Sequence, residues 1–119
     1  MLNLILLNLF VTKLNKKKLD EFKIKTSLIK IDTEGFEKNV ISGSVLTIKE
    51  SKPIIRIEYD IINKDTNTLE FILKKISKYQ YKPYIFDLYN KKFIKFDQKK
   101  IEVKDFFSHV YFLRKCHLI

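Results

Sequence analysis

Apolar and polar residues alternate strictly in two short stretches of this chain and recur at helical spacing in two others. In "LIKID", residues 28–32, Leu28, Lys30 and Asp32 fall on one side of an extended strand, and Ile29 and Ile31 on the other. "IIRIEY", residues 54–59, does the same, with Ile55, Ile57 and Tyr59 opposite Ile54, Arg56 and Glu58, and Pro53 tolerated at the strand's opening. Between them "FEKNVIS" puts Phe36, Val40 and Ile41 on one helical stripe, with Gly43 as a C-terminal cap and "SVLTIKESK" adding another turn. The longest helical pattern is "TLEFILKKISKY": Leu69, Ile72, Leu73, Ile76 and Tyr79 share a stripe, capped by Asn67 with Glu70. "KPYIFDLYNKKFIKFD" holds two extended runs split at residues 89–91, which predicts a hairpin, and "FFSHVYFLRK" predicts a closing strand.

The first 27 residues are less regular. "MLNLILLNLFVT" is apolar but interrupted by Asn3 and Asn8, and it is too short to span a bilayer. It has no basic residue ahead of its apolar part, so the expectation is a buried strand in a cytoplasmic protein, with no membrane span. "KLNKKKLDEFKIKTS" predicts a connection with one helical turn near Leu19 and Phe22. The series strand, helix, strand, helix, strands predicts one α/β domain, with 1–27 as an atypical N-terminal segment and 28–119 as its regular part.

Composition narrows the partners. A net charge of +10 suits phosphate-rich ligands, but the excess is lysine spread along the chain, and Arg56 and Arg114 are the two arginines. A dedicated nucleic-acid reader would interleave arginines with exposed aromatics, so no such partner is expected. Cys116 is the single cysteine, which excludes an intrachain disulfide. Together with His109 and His117 it makes no zinc set, so these three read as near-terminal surface or strand residues and no metal is expected.

The candidate chemistry lies where "LIKI" ends in "DTEG". Asp32 occupies the last strand position, where it serves either as a helix cap or as a reactive carboxylate at the rim of a sheet. Glu34 and Glu37 sit at a helix start, where negative charge is favoured by unpaired N–H groups. They and Glu58 are candidates for substrate contact at the rim. Lys30 and Gly35 are read as structural support, Lys30 through a charge pair with Glu58 on the neighbouring strand.

"LIKIDTEGFEKNVISGS" followed by "KPIIRIEYD" resembles the central signature of FkbM-type methyltransferases. The matching residues are Lys30, Asp32, Glu34, Gly35, Glu37, Gly43, Lys52, Pro53 and Glu58, with looser agreement at "KLDEF" and "HVYFLRK". The resemblance implies a Rossmann-like methyltransferase sheet flanked by helices, with an antiparallel pair at its C-terminal end. It also implies S-adenosylmethionine as methyl donor, a hydroxyl-bearing small molecule or glycan as acceptor, and Asp32 as the catalytic residue, acting as base, hydroxyl-orienting acceptor or metal ligand.

One departure is large. The family's first strand with its glycine-rich turn, and the acidic residue that follows the second strand, have no counterpart here, so no cofactor-binding residue carries over. The chain is therefore expected to be the C-terminal half of such a domain: a truncated O-methyltransferase or, alternatively, an inactive remnant that serves as a binding or structural module. Losing the first strand would leave "LIKI" as a bare edge. The expected remedy is that "MLNLILLNLF" folds back as a substitute strand, the alternatives being a homodimer or a separate N-terminal half.

Overall fold

A computed structural model describes residues 4–6, 18–32, 35–58, 66–97 and 109–118. Strand β1 (Leu4–Leu6) precedes a 3-10 turn (Leu19–Phe22), β2 (Leu28–Ile31), helices α1 (Glu37–Ser42) and α2 (Val45–Ser51), and β3 (Ile54–Glu58). Helix α3 (Thr66–Ile76) then leads to β4 (Lys82–Asp87), β5 (Lys92–Lys95), β6 (His109–Leu113) and a last 3-10 turn (Lys115–Leu118). The strands form one mixed sheet in the order β1-β2-β3-β6-β4-β5. The first three are parallel; β6 inserts antiparallel between β3 and β4, and β4 and β5 form the hairpin.

β1 answers the edge problem. Leu4, Ile5 and Leu6 pair in parallel register with Leu28, Ile29 and Lys30, so the start of the chain supplies the strand that shields "LIKI".

The alternation read from the sequence sorts the sheet into two faces. Ile29, Ile31, Ile55, Ile57, Val110 and Phe112 lie on one, each almost wholly buried. Val40, Ile41, Ile48, Leu69, Ile72 and Ile76 from the three helices complete the same cluster, so the helices cover this face. The opposite face carries Leu28, Lys30, Ile54, Arg56, Tyr111 and His109, all half-buried.

Two local readings change. Phe36 does not join the core; it precedes α1 as its N-cap residue and is 49% exposed. Helix α3 starts at Thr66, so Asn67 lies inside the first turn and does not cap it. Gly43 does cap α1, but at φ −84°, where any residue is allowed. A Cβ there would lie 3.1 Å from the Lys18 side chain, which would have to give by a few tenths of an ångström.

That contact seats the "KLDEF" turn on the helices. Asp20 accepts hydrogen bonds from the Leu46 and Thr47 N–H groups at 3.1 and 2.8 Å and from the Thr47 hydroxyl at 2.8 Å, which caps α2 from a distant segment. The Asp20 N–H in turn donates to the Gly43 carbonyl. Asp20→Ala strips a cap and orphans a buried hydroxyl, and is expected to destabilise the fold by about 2 kcal/mol. A fall in the urea midpoint at unchanged m-value would show it.

At the amino end of β3 a second set of contacts ties the C-terminus down. The Tyr81 hydroxyl donates to the Pro53 carbonyl at 2.6 Å, and burial pushes its pKa above the usual tyrosine range. His117 accepts from the Arg114 N–H at Nδ1, 2.9 Å away, which leaves Nε2–H to donate to the Lys52 carbonyl at 3.0 Å. Burial, chiefly, lowers the His117 pKa, consistent with this neutral tautomer. These groups lie at the end of the sheet opposite Asp32 and brace the scaffold.

Candidate active site

The parallel strands β2 and β3 run the same way, so their carboxyl ends meet at one rim. Asp32 follows Ile31 there, directly after the Ile31–Ile57 pair, and Glu58 ends β3 on the same face. Antiparallel β6 begins at this rim with His109, which is in register with Glu58. Three strands therefore bring Asp32, Glu58 and His109 to one end of one face. Such a rim, at the carboxyl ends of parallel strands, is where ligands bind in open α/β sheets.

One residue pair further down the strands, Lys30 lies across from Arg56, and Arg56 across from Tyr111. The direct Cα neighbour of Lys30 is thus a second cation, and Glu58, expected to pair with Lys30, is its diagonal neighbour. The parallel register decides this, because it aligns Leu28 with Ile54 and so shifts Glu58 two residues past Lys30.

His109 is a site residue that sequence reading missed. Burial pushes its pKa below the ordinary histidine value; nearby Arg56 and Lys30 push the same way, and the Asp32 carboxylate opposes them. His109 thus stands within electrostatic reach of Asp32, Arg56 and Lys30, as a neutral base at neutral pH. It lies 74 positions beyond Gly35, the end of the "KIDTEG" block, and its alternation in "HVYFL" signals only a strand.

The loop after β2 explains its glycine. Gly35 has φ +115°, a conformation that side-chain-bearing residues rarely adopt, and a Cβ there would meet nothing within 4 Å. Its N–H donates to the Glu37 carboxylate at 3.1 and 3.3 Å, so Glu37 closes the turn into α1. Glu34 lies outside the described residues. Helix α1 has Phe36 as its N-cap with no side-chain capping bond, so capping by Asp32 is not realised.

Among the described residues no group of three or more His, Cys, Asp or Glu side chains is placed to hold a metal ion. Nor is any helix there long and apolar enough to cross a membrane. Of the two glycines, Gly43 lies against the Lys18 side chain and Gly35 faces open space.

Residues 9–83 match the model of the methyltransferase FkbM domain. The chain belongs to this family of methyltransferases. The match takes in "KLDEF", "LIKIDTEG" and "KPIIRIEYD" and ends at the start of β4. No curated protein and no solved structure shows a significant match.

Proposed function

We propose that the chain forms the acceptor-binding rim of an S-adenosylmethionine-dependent O-methyltransferase with a Rossmann-like sheet, and that Asp32 receives the acceptor hydroxyl. The observation that carries this reading is the convergence of Asp32, Glu58 and His109 at the carboxyl ends of neighbouring strands, in a chain whose family is one of methyltransferases.

The chemistry suits the residues. An alcohol oxygen attacks a methyl group in line and loses its proton, and a positioned carboxylate that accepts that proton accelerates the step. Asp32 follows β2 at this rim, half-buried, where an acceptor hydroxyl can meet its carboxylate. His109, whose pKa is lowered chiefly by burial, borders the same opening from β6. Glu58 borders the same opening, and Gly35 leaves room for an acceptor to approach. The acceptor is a hydroxyl-bearing small molecule or glycan. S-adenosylmethionine, the donor used by methyltransferases of this kind, supplies the methyl group when bound.

A second reading is an inactive remnant that keeps the fold as a binding module; the lack of a glycine-rich turn in the sequence favours it. In the first reading a separate N-terminal half completes the donor site, and the assembly works in the cytoplasm. Calorimetric titration with S-adenosylmethionine, and separately with S-adenosylhomocysteine, tests the proposal. Saturable binding by the chain or its assembly is expected. A folded chain that binds neither, with and without the completing half, would leave the remnant reading in place.

A further inference from the structure

Lys30 and Arg56 are Cα partners on adjacent parallel strands, both half-buried on the same face. Like charges directly opposite one another in a sheet are destabilising. Neither cation has an ion-pair partner among the described residues, and the Arg56 contact recorded there is with an aromatic ring: its guanidinium carbon sits 5.7 Å from the Tyr111 ring centroid. At that distance the guanidinium stands in cation–π range of the ring. Among the described residues, Arg56 Nε is the one buried side-chain nitrogen or oxygen with no hydrogen-bond partner. A donor removed from water and left unmade costs about 1–3 kcal/mol, more when charged, so the site as it stands is missing an acceptor.

We propose that Lys30 and Arg56 form an oxyanion subsite that holds a phosphate group of the acceptor molecule while its hydroxyl meets Asp32. This rests on the methyltransferase reading above, and it names the acceptor class: a small phosphorylated polyol or sugar phosphate. A phosphomonoester carries close to two negative charges at neutral pH and so matches two cations, whereas a carboxylate would leave one unbalanced. The spacing agrees. Asp32 lies two residues beyond Lys30 on the same face, about 6–7 Å along the strand, which is the separation between a phosphate and a hydroxyl a few bonds away in a sugar-sized molecule. The rim is cationic on its inner row and holds Asp32, Glu58 and His109 on its outer row, so the phosphate sits deep and the hydroxyl at the edge.

The test is a nuclear magnetic resonance titration of the full ¹⁵N-labelled chain with inorganic phosphate, then ribose 5-phosphate, then acetate, each against chloride at equal ionic strength. Arg56 and Arg114 are the two arginines, so the side-chain Nε–H region holds two signals. Arg114 Nε is already bonded to the Tyr79 carbonyl at 2.9 Å and serves as internal reference. Saturable movement of the Arg56 signal by both phosphate compounds is expected, with acetate at least tenfold weaker. Lys30→Met, read at the Arg56 Nε–H, and Arg56→Lys, read at the backbone amides of residues 30 and 56, should each weaken phosphate at least tenfold; two separate variants guard against one that fails to fold.

Movement that does not saturate, or that persists unchanged in both folded variants, would overturn the subsite. So would acetate binding as well as phosphate. A single-stranded oligonucleotide that binds far more tightly than ribose 5-phosphate, with shifts spread over Tyr111 and Phe93, would assign the face to nucleic acid instead. The titration contains no methyl donor and reads no turnover, so its outcome is independent of the cofactor titration: either can succeed when the other fails.

Discussion

Asp32→Asn is expected to lower methyl transfer by roughly 100- to 10,000-fold, the range associated with loss of a positioned general base. The measurement is turnover by the chain, alone or with a completing half, alongside the dissociation constant for S-adenosylhomocysteine, which should stay within about threefold. Asparagine keeps the shape and one oxygen acceptor but cannot take a proton, so a large loss of turnover at constant cofactor affinity assigns proton acceptance to Asp32. Turnover equal to that of the unaltered chain would remove Asp32 from the mechanism and turn attention to His109, the neutral base beside it. Because Asp32 is only half-buried and makes no capping bond to α1, the substitution should leave the unfolding midpoint nearly unchanged, which separates this result from a folding defect.

Phe112→Ala should cost about 3–5 kcal/mol of stability, the range for emptying a buried aromatic site. Phe112 is fully buried on β6, opposite Ile55 on one neighbouring strand and Pro83 on the other. It therefore joins the parallel half of the sheet to the hairpin. A loss of that size approaches the whole stability of a domain this small, so the variant should be mostly unfolded at 37 °C, as circular dichroism would show. The conservative Phe112→Leu should recover more than half of the loss. Only a small change on Phe112→Ala would mean that β6 does not hold the two parts together.

These two positions also show how far the sequence reaches. The alternation in "LIKID" and "IIRIE" is local, and a period of two needs no partner to be read, so the faces of β2 and β3 agree with the structure. The stripe of Leu69, Ile72 and Ile76 agrees for the same reason, with a helical period in place of two. Asp32 was legible because a carboxylate closing a strand ahead of a glycine is a local pattern. Phe36 was misplaced because helical spacing alone does not tell where a helix begins. Its stripe extends backward past α1, and the chain there is already turning at the rim.

What failed to appear was register and neighbourhood. Each sequence stretch specifies its own two faces, but not which residue of the next strand lies opposite, and a shift of two residues keeps the same faces while exchanging partners. That shift is why Lys30 meets Arg56 and not Glu58. Likewise nothing near residue 109 announces that His109 will pair with Glu58 and stand beside Asp32; only the insertion of β6 between β3 and β4 does so. Strand β1 lies between the two cases: its apolar pattern was visible in the sequence, while its parallel pairing with β2 is a tertiary fact.

The sequence by itself determined the α/β class, the faces of the central strands, the family signature and one carboxylate at the rim, because all of these rest on short-range periodicity and local turn chemistry. The tertiary structure alone decided which charges share that rim and which cation is left without an acceptor, because hydrogen-bonded register, not sequence spacing, sets what stands across from what.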